Sequence, residues 1–275
     1  MSDYWTALIS GIVEGLTEFL PVSSTAHIVI TQKLLGVDLT SPFWKMFTVV
    51  IQLGAILAVV VYFRNRLIEF VRSFLRSEPR ERWRHPLALV IISFVVTAVP
   101  CFLMDKFIAD RLENPVTIAW ALILGGIAMV AIDRWYFQRA TTFRMEDMTL
   151  RQSLAIGAAQ ILAATFPGTS RSMSTIAGGQ VMGLSRTAAL EFSFFLSIPV
   201  MFSAAGFKLI QFLAKEPIRI AGDQWTTLGI GFATSFFVAW GVIAWFMHWV
   251  KSHGFLPFAI YRVVVGIAVL AWLSH

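Results

Sequence analysis

The chain has 275 residues, 57% of them hydrophobic and 14% charged, with a mean hydropathy of +0.72. Soluble domains are about 45–50% apolar and about a quarter charged, so this composition excludes a soluble globule and assigns the surplus apolar surface to lipid. At about 20 residues per span, the length allows at most about eight or nine helices, and no polar stretch is long enough to bury a core of its own.

The net charge is +6. The positive residues flank apolar runs, as membrane topology requires, and nucleic acid is not expected as a partner. The lone Cys101 lies inside an apolar run, which rules out an intramolecular disulfide and a cysteine metal site. No signal peptide is read at the start, where Asp3, Glu14 and Glu18 interrupt the apolar stretch.

In chain order, residues 5–36 are apolar but broken by Pro, Gly, Ser and Thr around a central Pro21. A proline there ends or kinks a helix, which predicts two short half-helices that enter the membrane and return. Three apolar runs follow, at about 45–63, 87–104 and 116–133, each long enough for a transmembrane helix. Residues 153–185 repeat the broken pattern around Pro167, and runs at about 190–213, 227–247 and 257–273 follow them.

The two broken segments align at a constant offset. Gly11 pairs with Gly157, Glu14 with Gln160, Leu16 with Leu162, Pro21 with Pro167, Ser23 with Thr169 and Ser24 with Ser170. A re-entrant pair plus three spans crosses the membrane an odd number of times, so the second copy enters upside down. The expected fold is therefore an all-α polytopic membrane protein in a single membrane domain. It has two inverted-topology repeats, about 1–135 and 150–275, each a re-entrant helix pair plus three transmembrane helices. That plan puts a site near the bilayer midplane.

The arginine-rich loop from Arg64 to Pro86 is expected in the cytoplasm. The loop with Arg134, Arg139, Arg144 and Arg151 and the turn at Lys251 then share its side. The loops around 105–114 and 214–226 and both termini fall in the periplasm. The first broken segment enters from outside and the second from inside, so that their motifs meet.

Glu14 and Glu18 share a helix face. Each costs roughly 2.5–3.5 kcal/mol or more to insert into a membrane, and the like charges repel. A divalent cation answers both problems, and hard oxygen ligands suit Mg²⁺ or Ca²⁺. Ser23, Ser24, Thr25 and His27 follow Pro21. They cap the next half-helix, and a hydroxyl beside a histidine also makes a nucleophile with its base. In the second segment, Arg171 sits among Gly168, Thr169, Ser170, Ser172 and Thr175. A buried arginine needs an anion, its fork suits phosphate, and the hydroxyls and N–H groups around it form an oxyanion cradle. A structural ion pair from Arg171 to Glu14 or Glu18 is the competing reading. Together these groups suit phosphoryl transfer on a substrate held in the bilayer by its lipid tail.

At these residues the chain resembles the bacterial undecaprenyl-pyrophosphate phosphatase, or bacitracin-resistance, family. The likeness rests on Glu14-Gly-Leu-Thr-Glu18-Phe-Leu-Pro-Val-Ser-Ser-Thr25 with His27, and on Pro167-Gly-Thr-Ser-Arg171-Ser. It also takes in the stretch from Gly183 through Glu191 to Phe194, and Pro257-Phe-Ala-Ile-Tyr-Arg262. It covers essentially the whole chain.

The resemblance implies hydrolysis of undecaprenyl pyrophosphate to the monophosphate in the bacterial inner membrane, for lipid-carrier recycling in cell-wall synthesis. It implies a cleft open to the periplasm and dependence on a divalent cation. By resemblance Glu14 and Glu18 bind metal or manage protons, and Ser24 or Thr25 attacks or positions phosphate. His27 activates, Arg171 stabilises the transferring phosphoryl group, and Ser170, Ser172 and Thr175 are supporting donors. The expected partner is the polyprenyl pyrophosphate lipid, and a homodimer is allowed. The family usually has Gly where Ala26 and Met173 stand; a need for φ > 0 at position 26 would strain an alanine. A transporter or flippase of a polyprenyl phosphate lipid is the alternative function, and it needs Arg171 and the cradle but not Ser24, His27 and the paired carboxylates.

Overall fold

Prolines mark where several helices of this chain begin. Pro42, Pro86, Pro115 and Pro257 occupy first-turn positions, where the missing N–H costs nothing and the fixed φ suits a helix. The computed structural model describes residues 2–104, 115–215 and 222–274, and among these it contains eleven α-helices and no β-strand. They are α1 (Asp3–Thr17), α2 (Ser24–Leu34), α3 (Pro42–Tyr62), α4 (Arg64–Arg76), α5 (Pro86–Leu103), α6 (Pro115–Tyr136), α7 (Leu150–Thr165), α8 (Arg171–Val181), α9 (Arg186–Lys215), α10 (Gly222–Ser252) and α11 (Leu256–Leu273).

Six of these are long and apolar enough to cross a membrane: α3, α5, α6, α9, α10 and α11. They coincide with the six apolar runs of the sequence. At 1.5 Å per residue, α2 and α8 reach only about 16 Å, short of the roughly 30 Å hydrocarbon core. The segment after Arg64, expected as a loop, instead forms α4, an arginine-bearing amphipathic helix with only Phe70 buried. The expected external loop at 105–114, and 216–221 of the second, lie outside the described residues.

The packing divides the chain into two units that each draw on both halves of the sequence. The first comprises Met1–Phe19, Ser24–Phe63 and Ser197–Trp245. Here the buried stripe of α1 is small and polar: Thr6, Ala7, Ser10, Gly11, Glu14, Gly15 and Thr17. The Gly11–Gly15 spacing allows α1 to lie directly on α10, since a Cβ at Gly15 would stand 2.8 Å from the Ser235 carbonyl. Such small-residue seams replace hydrophobic driving force inside a membrane. Ala7, Ile28, Phe43, Met46, Phe47, Ile51 and Leu228 form the apolar core beside that seam.

The second unit comprises Leu20–Ser23, Arg64–Leu196 and Phe246–His275. Helix α6 runs along α11, α5 along α7, and α8 packs against both α6 and α7. Ser93, Thr97 and Ser153 stitch α5 to α7 through buried hydroxyl bonds. Asp133 at the end of α6 receives both arms of Arg186 at 2.7 Å, Gln180 at 3.0 Å and the Phe255 N–H at 3.3 Å. That bidentate pair is well satisfied and fixes the starts of α9 and α11 to α6. Arg66 of α4 pairs with Glu146, outside the spans, at 2.5 Å and with Glu191 of α9 at 3.3 Å. Burial works against the Glu146 charge, but its own backbone N–H and Arg66 outweigh it and hold its carboxyl below the usual range.

Candidate functional site

In the first unit, Glu14 is fully buried and Glu18 nearly so. They lie one turn apart at the end of α1, where the Glu18 N–H donates to the Glu14 carbonyl. The predicted shared face is therefore present. Ser24 opens α2, is buried, and donates its Oγ hydrogen to Oε2 of Glu18. Thr25 is exposed and His27 is half-buried. Ala26 lies inside α2 and is buried, so the position where the resembling family usually has Gly needs no positive φ, and the alanine is unstrained. Ser10, one turn before Glu14, keeps a buried Oγ with no hydrogen-bond partner among the described residues.

In the second unit, two short turns precede α2 and α8. Ser23 and Ser170 both take φ of +74°. A non-glycine residue in this region costs of order 1–3 kcal/mol and persists only where its surroundings hold it. Each serine is the last residue before its helix, so the backbone pairs Ser23 with Ser170. This is one residue on from the sequence pairing of Ser24 with Ser170, and in this register Gly168 stands opposite Pro21. Gly168 has φ of +91°, and a Cβ there would stand 2.7 Å from the Ile118 carbonyl. Only glycine meets both demands.

Ser170 caps α8, accepting from the Met173 N–H at 3.3 Å, and lies 3.0 Å from the Ser172 hydroxyl. Met173, like Ala26, is helical and buried. Ser172 donates to the Leu20 carbonyl at 2.9 Å, which ties the N-terminus of α8 to the turn ahead of Ser23. Thr175 donates back to the Arg171 carbonyl and shares a 2.6 Å bond with Ser193. The hydroxyls of Ser172 and Thr175 thus brace the start of α8. Arg171 is half-buried at the first position of α8 and donates Nη1 to the Ser193 carbonyl at 3.2 Å. Thr169 is half-buried in the turn, its N–H bonded to the Phe166 carbonyl. With the Ser170 cap and the Arg171 guanidinium at the helix N-terminus, this end of α8 favours an anion.

Two buried residues beside these turns were given no role in the sequence analysis. Ser193 is fully buried; its marks were a serine in the apolar run of α9 and a place in the family-like stretch ending at Phe194. Arg262 is fully buried in α11; its marks were a lone arginine inside the apolar run 257–273 and the close of the family-like stretch that begins at Pro257.

Comparison with known proteins identifies relatives over the whole chain. The sequence model of the family described as bacitracin resistance protein BacA matches residues 7–268. The chain is 50% identical to an undecaprenyl-diphosphatase of Koribacter versatilis, over 99% of both chains. It is 42% identical to one of Novosphingobium aromaticivorans over 100% of this chain and 99% of that one. It is 40% identical to one of Aquifex aeolicus over 98% of each.

Proposed function

Because the chain belongs to the bacitracin resistance protein BacA family and is an undecaprenyl-diphosphatase, we propose that Glu14, Glu18, Ser24, His27 and Arg171 carry out that reaction. The observation that carries this reading is the hydrogen bond from Ser24 Oγ to Glu18. It places a buried hydroxyl against a carboxylate that can take its proton.

In this reading Ser24 Oγ attacks the terminal phosphorus as its proton passes to Glu18. The bond from that phosphorus to the bridging oxygen breaks, and undecaprenyl phosphate leaves with the electron pair. Water then displaces Ser24 from the phosphoryl group and releases inorganic phosphate. His27, three residues on along α2, shuttles the proton. Arg171 and the amides at the start of α8 neutralise the charge on the transferring phosphoryl oxygens, as an arginine does in other phosphoryl transfers. Ser23, Thr25, Gly168, Thr169 and Ser170 border the phosphates, and Ser172 and Thr175 hold the cradle in shape.

Glu14 and Glu18 suit a divalent cation of the magnesium type. Such an ion uses one or two carboxylates, several waters and the substrate's own phosphates rather than a full protein cage. The orphaned Ser10 Oγ, one turn before Glu14, is placed to accept from a metal-bound water. When bound, the ion would supply charge neutralisation at the pyrophosphate.

We further place the protein in the bacterial inner membrane, with α1–α2 and α7–α8 as re-entrant pairs of two inverted repeats and the site open to the periplasm. The short helices and the arginines at the ends of the spans support this. Phosphate release from undecaprenyl pyrophosphate by purified protein tests the reading. Release should collapse with a chelator and in Arg171→Ala. Full activity in both conditions would overturn it.

A further inference from the structure

Arg262 has no part in the reaction described above, yet it is among the most completely buried side chains of the second unit. Among the described residues no carboxylate pairs with it. All its bonds go to backbone carbonyls: Nε to Leu122 at 3.4 Å, Nη1 to Pro21 at 3.1 Å, and Nη2 to Ala121 and Gly168, both at 3.0 Å. Two of these carbonyls belong to α6 and the other two to the turns that precede α2 and α8.

The choice of carbonyls is regular. Pro21 lies two residues before Ser23, and Gly168 two residues before Ser170, the two serines at φ +74°. One planar fork therefore holds both strained turns at the same point of their backbone. A lysine ammonium, with three donors around a single atom, does not span that spacing. The path to the fork is cleared by Gly125. A Cβ there would overlap Nη2 and stand 3.1 Å from Cζ.

We infer that Arg262 is a positioning residue for the phosphatase reaction, fixing the turn between Glu18 and Ser24 and the turn before Arg171 to one common anchor on α6 and α11. The inference rests on the assignment of those flanking residues to the reaction. A buried charge satisfied only by carbonyls is a costly way to glue helices, whereas strained turns need an anchor that over-determines them.

The test compares folded, detergent-purified wild type with Arg262→Lys, Gly125→Ala and the double variant, reading kcat and KM on undecaprenyl pyrophosphate beside thermal unfolding. Arg262→Lys keeps the charge but loses the fork, and Gly125→Ala keeps the arginine but displaces it. Each should lower kcat by about 100-fold, the scale of a 1 Å misplacement, with KM within a few-fold. Gly125→Ala should add no further loss on the Arg262→Lys background, because both act through the same guanidinium. If Arg262→Lys does not fold, the kcat of Gly125→Ala decides alone. A kcat near wild type per folded molecule, with only a lowered Tm, would overturn the inference and leave Arg262 as structural glue. Arg171→Ala and Glu18→Gln serve as controls. Full activity in those would overturn the assignment of the flanking residues, and this inference with it.

Discussion

Ser24 donates its hydroxyl hydrogen to Oε2 of Glu18, six residues back along the chain and on the other side of the Pro21 turn. Both side chains are buried, so water competes little for either. The pair joins the end of one short helix to the beginning of the next and, in the proposed reaction, aligns a nucleophile with its base. Ser24→Ala and Glu18→Gln should each lower kcat by about 10²–10⁴-fold, the range for a positioned acid–base group. The double variant should be no slower than the worse single, since groups that act as a unit are non-additive. Steady-state phosphate release checks this, and additive losses would separate Ser24 from Glu18.

Glu14 is expected to hold metal rather than to move protons. Glu14→Gln keeps the shape of the side chain and removes the charge. The Mg²⁺ concentration for half-maximal activity should rise by at least the about 10–100-fold that loss of an outer-shell partner costs. A magnesium titration of the variant is the measurement, and an unchanged midpoint would remove Glu14 from the metal site.

Gly168→Ala should cost stability twice over. The alanine would be held at φ +91°, and its Cβ would press on the Ile118 carbonyl. The backbone part alone is of order 1–3 kcal/mol, so Tm should fall by several degrees, with loss of activity. Gly206→Ala is the contrast. That glycine lies within α9 with open space around it, and alanine there favours the helix by about 1 kcal/mol. A Gly168→Ala protein as stable as Gly206→Ala would refute the account of the turn.

His85 gives the protein a pH dependence outside the spans. Its Nδ1 accepts from the Leu87 N–H and caps α5, while Nε2 lies 2.9 Å from Ser73 Oγ. Burial lowers its pKa below the ordinary 6.5, with Glu146 pulling weakly the other way. The unfolded chain therefore binds more protons than the folded one below pH 6.5. The stabilisation is complete above that pH and is lost as pH falls through the folded value, where Nδ1 can no longer accept. His85→Asn keeps a capping side chain without the titration, and should flatten the fall of Tm below pH 6.5. An unaltered pH profile in His85→Asn would assign the effect elsewhere.

Much of this was legible in the residues themselves. The six spans follow from runs of apolar side chains, because hydrocarbon contact depends on composition over about 20 residues and on little else. The breaks at Pro21 and Pro167 were equally visible, since proline acts on the backbone it belongs to. Glu14, Glu18, Ser24 and Arg171 stood out because charged and polar groups are costly in apolar segments unless they do something. Tertiary structure alone decided the rest. It gave Ser24 to Glu18, turned the Ser172 hydroxyl to the Leu20 carbonyl, and shifted the repeat register so that Ser23 matches Ser170. It also drew both turns onto Arg262, across 241 and 94 residues of chain. Those bonds go to backbone carbonyls, which every residue carries alike, so no side-chain pattern could announce them. They exist only once the chain has folded and brought distant segments to 3.0–3.1 Å of one another.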